Sequence, residues 1–124
     1  MSMYPSYDAI ISLINKLNLP RMSSYQDWEY IVADKKRISE FISFYEDNFL
    51  NDNEKYILMR IIVESCNDAL IEGNLNDNIW NRVKSCLIKD KQIHIDTIDE
   101  WALKDEANLN DCFAITPLIR EITI

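Results

Sequence analysis

The chain has 124 residues, 48% of them hydrophobic and 10% aromatic, which suits one folded helical domain over residues 1–124 and argues against a disordered chain. Its single glycine and three prolines leave too few turn residues for an all-β fold of this size. Twenty-one acidic against thirteen basic residues give a net charge of −8, which disfavours direct binding to nucleic acid and favours a basic protein partner.

The spacing predicts a first helix over residues 5–18, with Ile10, Leu13, Ile14 and Leu17 on one stripe and Pro20 beyond its end. Ser23 with Gln26 and Ser24 with Asp27 form two overlapping capping boxes ahead of a short helix over residues 25–33, with Trp28, Ile31 and Val32 inward. Asp34 caps a helix over residues 35–48, whose stripe of Ile38, Phe41, Ile42 and Tyr45 extends to Phe49.

The central element is the run Asn53–Glu72. Asn51, Asp52 and Asn53 offer N-caps, Glu54 puts negative charge in the first turn, and Gly73 follows where a left-handed residue is needed. Leu58, Met59, Ile62, Val63, Cys66, Ala69 and Leu70 share an arc of roughly 140°, wider than a surface helix requires. Glu64, Asp68 and Glu72 form an acidic stripe on the other side, tempered by an Arg60–Glu64 pair. Ile57, Ile61 and Ile71 fall on that same side, either under a neighbouring helix or as the apolar centre of a binding patch.

A helix over residues 78–89 follows, with Ile79, Trp80, Val83, Cys86 and Leu87 inward. The next, over residues 91–104, turns Ile95, Ile98, Trp101 and Ala102 to the core and carries Asp96, Asp99 and Glu100 outside, with His94 half-exposed. A polar loop spans residues 105–111. Thr116-Pro117 then opens a short terminal helix, for which β-branched residues leave an extended segment over Ile115–Ile124 as the alternative. These elements describe an all-α, single-domain bundle of five to six helices around a central buried helix.

Searches for chemistry end without a motif. One histidine excludes a two-histidine metal site, and one glycine excludes a phosphate-binding loop or dinucleotide fingerprint. Cys66, Cys86 and Cys112 are odd in number and sit in apolar patterns without an activating cation, so neither disulfides nor a catalytic thiol is expected. No apolar run reaches the length of a membrane span. The expectation is a cytoplasmic protein that is not an enzyme and uses no cofactor or metal.

The segments DTIDEWALKDE and FAITPLIREI, set in a small acidic helical chain, resemble bacterial immunity proteins encoded beside contact-dependent inhibition or other polymorphic toxins. The resemblance covers Asn53 to Ile122. It implies a protein that binds a cognate toxin domain, often a basic nuclease, and blocks its active site, with acidic side chains standing in for substrate phosphates. The residues themselves nominate Glu64, Asp68, Glu72, Asp96, Asp99 and Glu100 as partner-binding. A helical adaptor that holds a peptide or partner helix against Ile57 and Ile61 is the alternative, and a carboxylate-based metal or acid–base site is a third.

Overall fold

Asn51 starts the longest helix of this computed structural model, which describes residues 4–21 and 27–122. Its side chain accepts from the Glu54 amide at 2.8 Å, and Glu54 Oε1 accepts from the Asn51 amide at 3.1 Å. This capping box opens α4, Asp52–Ile71. Glu54 also ties α4 to α1, Tyr7–Leu17, because its Oε2 accepts from Ser12 Oγ at 2.6 Å and Lys16 Nζ at 3.0 Å. Burial pushes this carboxyl up, but those donors and the Asn51 amide outweigh it and hold the group below its usual range. At the other end Gly73 takes φ 72°, with Gly73 N donating to Leu70 O and Asn74 N to Ala69 O. That is a Schellman closure, and any side chain at residue 73 would be strained there.

Helix α4 packs against five others. They are α1, α2 (Trp28–Val32), α3 (Ile38–Asp47), α5 (Asp77–Lys89) and α6 (Lys91–Ala102). With neighbours on nearly every side, its burial exceeds the expected arc. Ile57 and Ile61 are 0% exposed, so they are core residues rather than the centre of a binding patch. Ile71, the last residue of α4, is 68% exposed.

The remaining elements follow the expected order, most with shorter bounds, while α5 starts one residue earlier than expected. Ser6 caps α1 through the Ala9 amide, and Asn18 ends it in the left-handed region at φ 54°. The boxes expected at Ser23–Asp27 and the start of the helix expected over residues 25–33 involve residues outside those described. In α2 the indole of Trp28 donates to Pro20 O at 3.1 Å and Val32 is buried, while Ile31 is 55% exposed. Only one side of a five-residue helix can face the core, and Trp28 and Val32 occupy it. Asp34 accepts from the Lys36 amide and opens a 3-10 turn, Lys35–Arg37, that leads into α3. Asn48 then turns extended at φ −121°, which breaks the helical register. Phe49 therefore points away from the core at 98% exposed, and Leu50 is buried instead.

Asn76 caps α5, and Asp90 alone separates it from α6. Helix α6 stops at Ala102 because Leu103 turns left-handed at φ 43°. Ile98, Trp101 and Ala102 are buried as expected; Ile95 is exposed, and His94 is fully buried rather than half-exposed. After a 3-10 turn, Leu109–Asp111, the chain forms α7, Thr116–Arg120, so residues up to Ile122 do not adopt the extended alternative. The seven α-helices among the described residues exceed the expected five to six by counting the five-residue α2 and α7. No strand occurs among them. The architecture is the all-α bundle around a buried central helix.

Candidate functional site

Two acidic runs that are separate in sequence approach each other where α6 packs on α4. Glu64 lies on α4 with Asp68 one turn along, and both feel burial. Glu100 approaches from α6. Burial first, then the negative charges of Asp68 and Glu100, push the Glu64 carboxyl up to about 6. Its expected partner Arg60 is engaged elsewhere: Nε donates to Glu29 Oε1 at 3.0 Å and Nη1 to Glu100 Oε2 at 3.0 Å. Tyr30 of α2 donates to Glu100 Oε1 at 2.8 Å, and its phenol is pushed up to about 12 by burial and by Glu100. Arg60 also stacks against Tyr56, at 5.5 Å from the ring centroid. Burial raises the Tyr56 phenol, Arg60 lowers it, and the charge of Asp96 on α6 adds to the rise.

The six nominated residues thus divide. Glu64 is brought near Asp68 and Glu100, while Asp96 lies on α6 near Tyr56 of α4. Glu72 is diverted, forming an ion pair with Lys35 at the far end of α4. Asp68 sits between Glu64 and Glu72, its carboxyl raised by burial and Glu72 and eased by Lys35. Asp99 is exposed and borders a shallow depression with Leu103, Lys104, Asp105 and Glu106. No group of three or more ligating side chains among the described residues is arranged to hold a metal ion.

Sequence reasoning missed Glu29 and Tyr30, and it paired Arg60 with Glu64 where the structure pairs it with Glu29 and Glu100. Glu29 is buried in a short helix that has no periodicity to read, and only the crossing of α2 over α4 brings it to Arg60. It also missed a buried polar cluster at the opposite end of α6. Tyr45 Oη donates to Asp90 Oδ2 at 2.6 Å and lies 2.8 Å from His94 Nε2. Since the phenol proton goes to Asp90, the His94 Nε2 proton points to Tyr45, leaving Nδ1 as an unpartnered buried acceptor. Burial pushes His94 down to about 4, against the pull of Asp90. Lys55 Nζ stands 3.4 Å from Asp90 Oδ2, and together with Tyr45 it helps hold that carboxyl below its usual range against burial.

Cys66 and Cys86 are buried, and burial raises both thiols, to about 12 and about 11. Neither is a thiolate at neutral pH. The chain matches no family model, no curated protein and no solved structure. No helix among the described residues is long and apolar enough to cross a membrane.

Proposed function

We propose that this chain is an immunity-type inhibitor that docks a basic toxin domain on the α4–α6 face and blocks its active site. One observation carries the reading. Glu64 is held among Asp68 and Glu100, while the nearest guanidinium is spent on Glu29 and Glu100. Like charges gathered on a half-buried surface weaken the free protein, and a cation brought by a partner relieves them. Asp96 extends the negative field along α6, and Tyr30 supplies an aromatic edge of the kind enriched at interfaces. The overall charge of −8 steers a basic partner toward the same encounter.

The adaptor reading has lost the residues it rested on, since Ile57 and Ile61 are in the core. The test is association kinetics against candidate basic toxin domains, identified by co-expression and pull-down with this chain. Glu64→Lys and Asp96→Lys should each slow association about tenfold or more at low salt, and wild-type association should slow as salt rises. Fast association that ignores both salt and charge reversal overturns the proposal.

A further inference from the structure

The first half of α6 is held to the bundle by polar groups, and the second half by apolar ones. Over residues 91–97 the only buried side chains are His94 and Thr97, with Ile93 partly buried against the core. Ile98, Trp101 and Ala102, all buried, come after them, and α7 closes over that second half through Thr116 and Arg120. The start of the helix is also weak for local reasons. Its N-cap residue, Asp90, makes no side-chain capping bond, its carboxylate being spent on Tyr45 Oη and Lys55. The first turn carries no acid and opens on Lys91, the wrong sign for a helix N-terminus. A cavity of about 470 Å³ runs beside this start, lined by Asp52 and Ile88 as well as by Lys91, Gln92 and Ile93.

His94 is the polar anchor of this half. Its Nε2–H points to Tyr45 Oη at 2.8 Å, and Nδ1 has no partner among the described residues. Thr97, one turn on, leaves its hydroxyl unpartnered as well. A second proton on the ring would go to Nδ1, in a fully buried place that offers it no acceptor, with the Lys55 charge opposing it. Asp90 pulls the other way, but burial outweighs it and pushes His94 down to about 4, where a hydrated imidazole takes its proton near 6.5. The closed helix therefore excludes the charged ring and an opened one accepts it.

The surroundings leave this effect to His94. Burial raises the Tyr45 phenol and the Cys86 thiol, and Asp90 is held below the usual carboxylate range, so these three keep their charge between pH 7 and pH 5. Asp52 acts on Tyr45 from α4, and Lys91 and Asp96 flank His94 on α6 itself. Arg120 of α7 is spent on carbonyls at the opposite end of the helix. Glu64, pushed up to about 6, works in the other direction, gaining from its proton as pH falls, but it faces Glu100 in the second half of α6.

We propose that residues 91–97 form an acid-released flap: proton uptake at His94 Nδ1 drives the ring out from under Tyr45 and frees this half of α6, while the half locked by α7 stays in place. The flap is independent of the toxin-binding reading and survives its failure.

The test is amide hydrogen exchange of the full chain at pH 7, 6 and 5, read by NMR and corrected for the intrinsic pH dependence of exchange. The amides of residues 95–98 donate to carbonyls of the flap. Their opening equilibrium should rise about twentyfold from pH 7 to pH 5, as the open state gains a proton that the closed state refuses. Trp101 and Ala102 in the same helix, and Ile62 and Val63 of α4, should stay nearly level. The ring ¹⁵N shifts should report the Nε2–H tautomer throughout. His94→Gln, neutral at every pH, should remove the pH dependence at residues 95–98. Protection there that ignores pH, an equal rise in both halves of α6, or a ring that takes its proton near pH 6.5 with protection intact would each overturn the proposal. So would pH dependence kept in a folded His94→Gln variant; if that variant fails to fold, the two halves of the wild-type helix decide alone.

Discussion

Replacing Glu64 with glutamine should stabilise the free protein, and the direction follows from its surroundings. A carboxyl that ionises near 4.5 in the unfolded chain and near 6 when folded binds its proton more tightly in the folded state. Its contribution is therefore fully favourable below 4.5, declines as pH rises through 6, and reaches a steady penalty above that. The full shift corresponds to about 2 kcal/mol, and partial exposure with salt screening reduces that to about 1 kcal/mol. Glu64→Gln keeps the shape and removes the charge. It should raise stability at pH 7 by about 1 kcal/mol, roughly 4 °C in Tm for a chain of this size, and leave stability at pH 4 unchanged. Urea denaturation of both proteins at pH 4, 5, 6, 7 and 8 reads the difference directly, since other titrating groups cancel between them. The same substitution should weaken binding of a basic partner, linking lost function to gained stability. A glutamine variant less stable at pH 7, or equally stabilised at pH 4 and pH 7, refutes the account of Glu64 as a charge held at a cost.

Other outcomes follow from the buried network and the helix ends. His94, lowered to about 4, binds its proton more weakly folded than unfolded, so wild-type stability attributable to it should fall as pH drops from 6.5 toward 4. The His94→Gln variant should show a shallower acid limb in the same urea series. Arg60→Met leaves Glu29 buried without its cation and should destabilise by about 3 kcal/mol, measured by denaturant midpoint. Asn51→Ala removes the α4 cap and should cost about 1 kcal/mol by the same assay. Among the three thiols, Cys112 should react first with an aromatic disulfide reagent, and Cys66 only at the rate of unfolding.

How much of this was legible in the sequence depends on whether a feature is local. The α4 caps at Asn51 and Gly73 and the Asp34 cap are set within a few residues, and they stand where the side-chain chemistry places them. Thr116-Pro117 does open α7, but Ile115 takes the cap position expected of Thr116, whose hydroxyl is given to Trp101 O instead. Features that depend on what packs opposite were not readable. Ile57 and Ile61 share a side with the acids, and only the presence of α2 and α6 over that side buries them. His94 occupies the polar flank of a helical wheel, yet Tyr45 from α3 and Lys55 from α4 close over it. Phe49 continues a periodicity that the backbone abandons at Asn48. The candidate face shows the same division. Its acids were named from spacing, but the approach of Glu100 to Glu64, and the diversion of Glu72 to Lys35, come from the α4–α6 packing and the 3-10 turn.

Arg120 gives the far end of the chain a hold over that face. From α7 its Nε donates to Ala102 O at 2.7 Å, and its Nη2 reaches the carbonyls of Leu103 and Glu106. These include the open carbonyls where α6 ends, so the guanidinium serves as a cap supplied from another helix. Thr116 adds a bond to Trp101 O, and the Asn67 side chain of α4 holds the Ile115 amide. A protease that clipped the segment after Phe113 would remove no acidic residue from the face. It would nevertheless free the last turn of α6, and Glu100 belongs to that turn. The tail thus acts as a latch at a distance: trimming it would blur the geometry of a surface it never touches.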